Sequence, residues 1–364
     1  MDLVGEMLCA ELCARHSATL EATHIQPPFV RRFSRAGAAP GGRIRFNADR
    51  ALNRFFDYPR ALRRVRGAFD IFHVVDHSYA HLVRELAVAR SVVTCHDLDA
   101  FRCLLAADAE RRSAPMRLMA RRTLRGMRRA ARVCCPSVAT RDALVANALV
   151  APERIVVIPN GVHPAFSPRP DEAADAEAAA LLGPAGATEI LHVGSTIPRK
   201  RIDVLLRIVA AVRTEFPDLR LVKAGGALTA DQQALAQSLG LEHSIVTMPP
   251  LRPAVLAALY RRAALLLMPS EAEGFGLPLV EAMACATPVV ASDIPALREV
   301  GAAAAVYCAV GDVQAWSWVV AAMLRERAAN PARWAERRAA AVGRASLFSW
   351  AAYADRSAAL YHEV

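Results

Sequence analysis

Apolar and polar positions along the chain repeat one pattern: a short aliphatic run, a turn, then an Ala/Arg-rich stretch with helical spacing. "IFHVV" (71–75), "SVVTCHD" (91–97), "RVCCPS" (132–137) and "RIVVIPNGV" (154–162) read as strands with helices between them, which predicts a parallel sheet. The stretch 163–189, rich in Pro, Ala and acids, reads as a linker with one short helix. The alternation then restarts with "ILHVGS", "LRLVKAGG", "SIVTMPPL", "ALLLMPS", "TPVVASD" and "AAVYC". The pattern predicts an α/β chain of two Rossmann-like, doubly wound domains facing across a cleft, over residues 1–165 and 166–345, with a terminal helix over 346–364. Sheets of this kind bind ligands at the carboxyl ends of their strands. No internal repeat is visible.

Composition narrows the class. A length of 364 residues with 54% hydrophobic content suits two globular domains. No apolar run is long enough to span a bilayer, and the opening "MDLVGEMLCAELCARH" lacks the basic start and cleavage site of a signal peptide. The eight cysteines show no paired metal spacing, so reduced thiols and a cytoplasmic location are expected. Charge is unevenly placed. Residues 1–160 hold 26 Arg, no Lys and 15 acids, a net of +11, whereas the remainder holds 19 bases and 20 acids, a net of −1. A basic half suggests an anionic partner: a membrane surface, a phosphorylated acceptor or nucleic acid. Against nucleic acid stand the 6% aromatic content and the absence of a binding motif.

Chemistry concentrates in "PSEAEGFGLPLVEAMACATPVVASD" (269–293), which follows the strand-like "ALLLM". Pro278 suits the first helical position, so Ser270–Leu277 is a loop and Glu281 lies one turn inside the helix, facing back. Glycines let backbone amides approach a ligand, and a carboxylate there can accept hydrogen bonds from vicinal hydroxyls of a ribose or hexose. A capping loop with solvated glutamates is the plain alternative. A second strand–loop–helix, "ILHVGSTIPRKRIDVLLRIV" (190–209), crowds Arg199, Lys200 and Arg201 at a helix start, where an anionic ligand would offset their repulsion from the macrodipole. Lys200 is one of only two lysines in the chain, the other being Lys223.

"HVGSTIPRKRIDVLL", the 269–300 stretch and "IPNGV" together resemble the retaining nucleotide-sugar glycosyltransferases of family 4, of GT-B fold, and within them the mannosyltransferase-rich branch that builds bacterial polysaccharides, lipopolysaccharide included. The resemblance covers nearly all of residues 70–364. It implies that Glu281 holds the donor ribose, while Glu273 and the amides of Gly274, Phe275, Gly276 and Leu277 contact the donor sugar. It also implies that Lys200, with Arg199, neutralises the departing diphosphate beside Gly194 and Ser195. Ser195 stands where the family often has Arg. The final helix is expected to cross back onto the first domain, and neither metal nor cofactor is implied beyond the donor itself.

In the first half, "VVTCHDLDAF" resembles the family's strand that ends in a histidine near the reacting sugar, which makes His96 a candidate catalytic residue beside Lys200 and Glu273. Asp97 and Asp99 match a metal-binding Asp-x-Asp only by chance spacing. Asp76, His77 and Tyr79, at another strand end, are expected to line the acceptor side. "APMRLMARRTLRGMRRAAR" (114–132) sets Arg117, Arg121, Arg125, Arg128 and Arg132 on one helical face, with Met116, Met119, Thr123 and Met127 on the other. It reads as a basic amphipathic helix suited to an anionic leaflet or lipid-diphosphate acceptor. The chain opens on a helix-like stretch, where a parallel α/β domain is expected to open with a strand and a glycine loop. The expected activity is transfer of a hexose, mannose or another, from a nucleotide-diphosphate sugar to a hydroxyl of a glycan or lipid-linked glycan, with retention. The main alternative is a non-catalytic relative that binds nucleotide-sugar or membrane as a partner subunit. A phosphorylase would need a pyridoxal lysine, for which neither lysine looks suited, and the paired glutamates disfavour an epimerase.

Overall fold

The computed structural model describes residues 2–34, 43–105, 112–183 and 188–364. The chain forms two compact units, Met1–Pro159 with Trp350–Val364, and Asn160–Ser349. Residues 160–165 and 346–349 group with the second unit, where the Val162 amide donates to the Phe348 carbonyl at 3.1 Å.

The first unit is built on β1 (Phe72–Val74), β2 (Ser91–Thr94), β3 (Arg132–Cys135) and β4 (Ile155–Val157), parallel and hydrogen-bonded in that order. Helices between successive strands force the parallel arrangement, because a tight turn cannot return a strand in the same direction. Helix Ala114–Arg129 packs on the segment His77–Glu85 so closely that a Cβ at Gly126 would lie 1.9 Å from the Ala80 carbonyl oxygen. Arg132 lies outside that helix and opens β3. The helix ends at Arg129, so the basic face predicted over 114–132 keeps Arg117, Arg121, Arg125 and Arg128 and loses Arg132. Thr123 and Met127 are buried as expected, but Met116 is exposed.

The final helix, Trp350–His362, belongs to the first unit. Trp350, Tyr353, Leu360 and Tyr361 share a core with Val4, Leu8 and Leu12 of the helix Asp2–Arg15. Burying those apolar side chains contributes roughly 1.5–3 kcal/mol each. Polar ties fix the register: His73 Nδ1 lies 2.6 Å from Tyr361 Oη, and its Nε2 lies 2.7 Å from Thr94 Oγ1.

The second unit carries β5 (Glu189–Val193), β6 (Arg220–Ala224), β7 (Ile245–Thr247), β8 (Leu265–Met268), β9 (Val289–Ser292) and β10 (Val306–Cys308). All pairings are parallel, in the order β10-β9-β8-β5-β6-β7. Strands that are buried on both faces must be apolar throughout, which is why "LLLM" and "VVAS" read as continuous runs. The order reverses between β5 and β8, which makes their carboxyl ends the topological switch point of a doubly wound sheet. The expected linker resolves into extended chain and the helix Glu172–Leu182, capped by the Asp171 side chain accepting from the Ala174 amide. Residues 184–187 of that stretch lie outside the described residues.

Candidate functional site

Two loops leave the switch point. After β5 the chain makes a single turn, Pro198–Lys200, and then takes a left-handed step at Arg201 (φ 48°) into the helix Ile202–Arg213. Left-handed backbone is costly for a residue with a Cβ, and such strain gathers where geometry is over-determined. The step turns the Arg201 side chain away to a bidentate pair with Asp203 at 2.9 and 3.1 Å. It leaves Lys200 and Arg199 facing the second loop, which follows β8. There the Glu271 amide donates to the Arg199 carbonyl at 2.8 Å, and Arg199 Nη1 donates to the Ala272 carbonyl at 2.7 Å.

Glu273 closes the arrangement. Lys200 Nζ sits 2.5 Å from its Oε1 and Arg199 Nη1 sits 3.1 Å from its Oε2. The three side chains are only 9%, 13% and 7% exposed, respectively. Two cations share one carboxylate in a nearly closed site. Glu273 is therefore no solvated capping residue.

The second loop reaches its helix, Leu277–Ala284, through Gly276, whose φ of 94° would strain any side chain and whose added Cβ would meet Leu297 Cδ2 at 2.5 Å. Among the described residues, the amides of Phe275, Gly276 and Leu277 have no acceptor, although Phe275 and Gly276 are buried. The leading N–H groups of a helix have no partner within it and are ready donors to an anion or a hydroxyl. Three side chains at strand ends tell the same story: His192 Nε2, Ser270 Oγ and Ser292 Oγ are buried without a partner.

Glu281 lies one turn inside that helix. It is half-buried, and its Oε2 accepts from Tyr260 Oη at 2.9 Å. Burial pushes its carboxyl up to about 7, while the Tyr260 hydroxyl pulls the other way. Sequence reasoning missed Tyr260. It lies on the helix Pro253–Arg262, and only the neighbouring placement of the two helices brings it to Glu281.

The first unit gathers a different set. The Val75 carbonyl accepts from His96 Nε2 at 2.7 Å, and the His96 amide donates to His77 Nδ1 at 3.3 Å. Each bond fixes a tautomer: His96 carries its proton on Nε2, and His77 accepts through Nδ1. Burial lowers the pKa of both rings, so both are neutral near pH 7. His77 Nε2 is buried without a partner. Asp76 caps the following segment by accepting from the Ser78 amide at 2.8 Å. The Tyr79 ring lies 6.3 Å from that of His81, with the Arg54 guanidinium 4.9 Å above it. Arg54 gave no signal in a half so rich in arginine. Among the described residues no group of three metal-ligating side chains occurs.

The family model for glycosyltransferase family 4 matches residues 6–166, and that for glycosyl transferases group 1 matches residues 175–340. A D-inositol 3-phosphate glycosyltransferase of Kineococcus radiotolerans is 40% identical over 230 residues, covering 58% of this chain and 52% of that protein. The chain thus spans about half the length of the curated relatives it matches. Among solved structures, WaaG, a glycosyltransferase involved in lipopolysaccharide biosynthesis, superposes with a TM-score of 0.68 at 17% identity, covering 98% of this chain and 95% of that one. HepE of Anabaena, in complex with UDP and glucose, gives a TM-score of 0.70 at 18% identity, covering 86% and 83%.

Proposed function

The chain belongs to glycosyltransferase family 4, of GT-B fold, and on that premise we propose that it transfers a hexose from a nucleotide-diphosphate sugar to an acceptor hydroxyl with retention of configuration. The observation that carries the reading is the Lys200–Glu273–Arg199 cluster at the switch point of the second unit. A departing diphosphate develops negative charge, and fixed cations with little access to water stabilise it best. Lys200 and Arg199 neutralise the diphosphate beside Gly194 and Ser195. Glu273 and the partnerless amides of Phe275–Leu277 face the donor sugar, and the Glu281 carboxylate takes the ribose hydroxyls. The departing diphosphate itself removes the acceptor proton, so no separate base pair and no metal ion is needed. His96, neutral and fixed in its tautomer, serves beside the reacting sugar, and Asp76, His77 and Tyr79 line the acceptor side.

The acceptor in this reading is a glycan or lipid-linked glycan of bacterial polysaccharide biosynthesis, the sugar mannose or another hexose, and the setting the cytoplasmic face of the membrane. Support comes from the helix Ala114–Arg129, which exposes Arg117, Arg121, Arg125 and Arg128 together with Met116 and Leu118, the last 50% accessible. Cations next to exposed apolar side chains suit an anionic lipid surface. Among the described residues no helix is long and apolar enough to cross a membrane.

Thermal shift against UDP-, GDP- and ADP-hexoses tests the donor assignment. One nucleotide should raise the Tm by several degrees, and at a hundredfold excess over Kd the stabilisation is about 2.7 kcal/mol. No shift with any of them would overturn the donor reading. Stabilisation without turnover on any lipid-linked acceptor would favour a non-catalytic partner subunit. In the same series the protein should sediment with phosphatidylglycerol vesicles at low salt, less so at high salt, and not with phosphatidylcholine.

A further inference from the structure

Forty-three of the 45 basic residues are arginine; of the two lysines, Lys200 follows β5 at the switch point and Lys223 lies at the end of the neighbouring β6. Lys200 already has its place. Lys223, at the end of β6, is fully buried, yet no carboxylate pairs with it among the described residues. Its Nζ instead donates to three carbonyls: Gly194 at 2.5 Å, Ala224 at 3.1 Å and Gly226 at 3.4 Å. Three acceptors and no donor around one nitrogen match an ammonium, which has three N–H bonds, and not an amine. A guanidinium is planar and forked and cannot converge on one point between three carbonyls, which explains a lysine in a chain that otherwise uses arginine.

The three carbonyls belong to the turns that border the Lys200 cluster. Gly194 is the first residue after β5, and Gly225 packs against it so tightly that an added Cβ would lie 2.6 Å from the Gly194 oxygen. Lys223 thus ties the turn after β5 to the turn after β6, and Lys200 lies beside the same Gly194, where an added Cβ would meet its Cε at 3.5 Å. A buried cation without a carboxylate is unfavourable in the empty protein. Arg199 and Lys200 both contact the Glu273 carboxylate, and Lys223 adds a further buried cation next to them. The diphosphate bridge of a nucleotide sugar carries two negative charges.

We propose that Lys223 is a positioning residue for the donor diphosphate: its buried ammonium holds the Gly194 and Gly225–Gly226 turns in their binding geometry and completes the positive charge that the diphosphate neutralises. The inference rests on the donor reading above. The groups that face Lys223 are few. β5 brings His192, buried and held neutral with its pKa pushed down to about 3. The turn after β5 brings Lys200, with Glu273 beyond it, and β7 brings Thr247, with Met248 just past its end. Burial, reinforced by Lys200, lowers Lys223 to about 8. Its proton is therefore lost in an accessible range, and a bound diphosphate would hold it on.

The test is calorimetric titration of whichever of UDP, GDP or ADP binds the wild-type protein tightest, repeated with Lys223→Met and Lys223→Arg. Lys223→Met should bind about tenfold more weakly at pH 7.5 while its Tm stays level or rises, because an uncompensated buried charge has been removed. Lys223→Arg should not recover the affinity. Between pH 7.5 and 9.5, where phosphate ionisation (second pKa about 6) is complete, wild-type affinity should fall toward that of Lys223→Met. The Met variant should stay flat over that range. The wild-type pH series requires no variant to fold. Equal affinities of wild type and Lys223→Met at pH 7.5, or a flat wild-type profile, would overturn the role of Lys223 alone. Failure of the wild type to bind any of the three nucleotides would overturn the donor reading and this inference together.

Discussion

Lys200→Ala should lower turnover about 100- to 1000-fold with little loss of stability. The magnitude is that of removing one preorganised charge-stabilising donor from a site shielded from water. Removing one member of a buried ion pair commonly costs about 3–5 kcal/mol, because the partner charge is left stranded. Here Glu273 keeps Arg199 at 3.1 Å, so the carboxylate retains a cation and the fold should lose far less. Single-turnover rates with saturating donor, alongside Tm, separate the two effects. A variant that turns over like wild type would remove Lys200 from the mechanism. A collapse in Tm would instead identify the pair as structural.

Glu281→Gln should move two quantities in opposite directions. Donor affinity should fall roughly 100-fold, the scale of losing charge-assisted hydrogen bonds to two hydroxyls. Stability at pH 8 should rise by on the order of 2 kcal/mol. The sign follows from the carboxyl standing near 7 in the folded chain against an ordinary 4.5. A raised carboxyl favours the fold while protonated, and that contribution is present below about pH 4.5 and lost as pH climbs through 7. Glutamine is never ionised, so its advantage should shrink severalfold in urea melts as the buffer is taken from pH 8 to pH 5. The same titration predicts that wild-type donor affinity weakens as pH falls below about 7, since ribose hydroxyls need the ionised acceptor. A Glu281→Gln protein that binds donor normally, or is no more stable at pH 8, would contradict this account.

Glu281 and Lys223 also show which parts of such a site a sequence discloses. The strands were legible as short aliphatic runs between helical stretches, most plainly the fully buried β2, β8 and β9. Gly276 was legible because a left-handed turn before a helix has few alternatives, and the two glutamates stood out beside it. Sheet order was not legible. Nothing local says that β5 lies against β8, and that adjacency alone brings Lys200 to Glu273 across 73 residues of sequence. Tyr260 and Lys223 were hidden for the same reason: their roles depend on which elements become neighbours. Arg132 was misplaced by a simpler effect, because the periodicity of a basic helix runs on into a strand that happens to begin with arginine.

The return of the last helix has a consequence for how the protein is made. The first unit needs Trp350–Val364 to cover Val4, Leu8 and Leu12, but 190 residues, Asn160–Ser349, are synthesised in between. At bacterial or eukaryotic elongation rates, roughly 5–20 residues per second, that interval lasts about 10–40 s. Throughout it the apolar face of the first helix is without its partner, while the second unit is contiguous in sequence and can close as it emerges. The first unit is therefore completed only after the whole of the second has been synthesised.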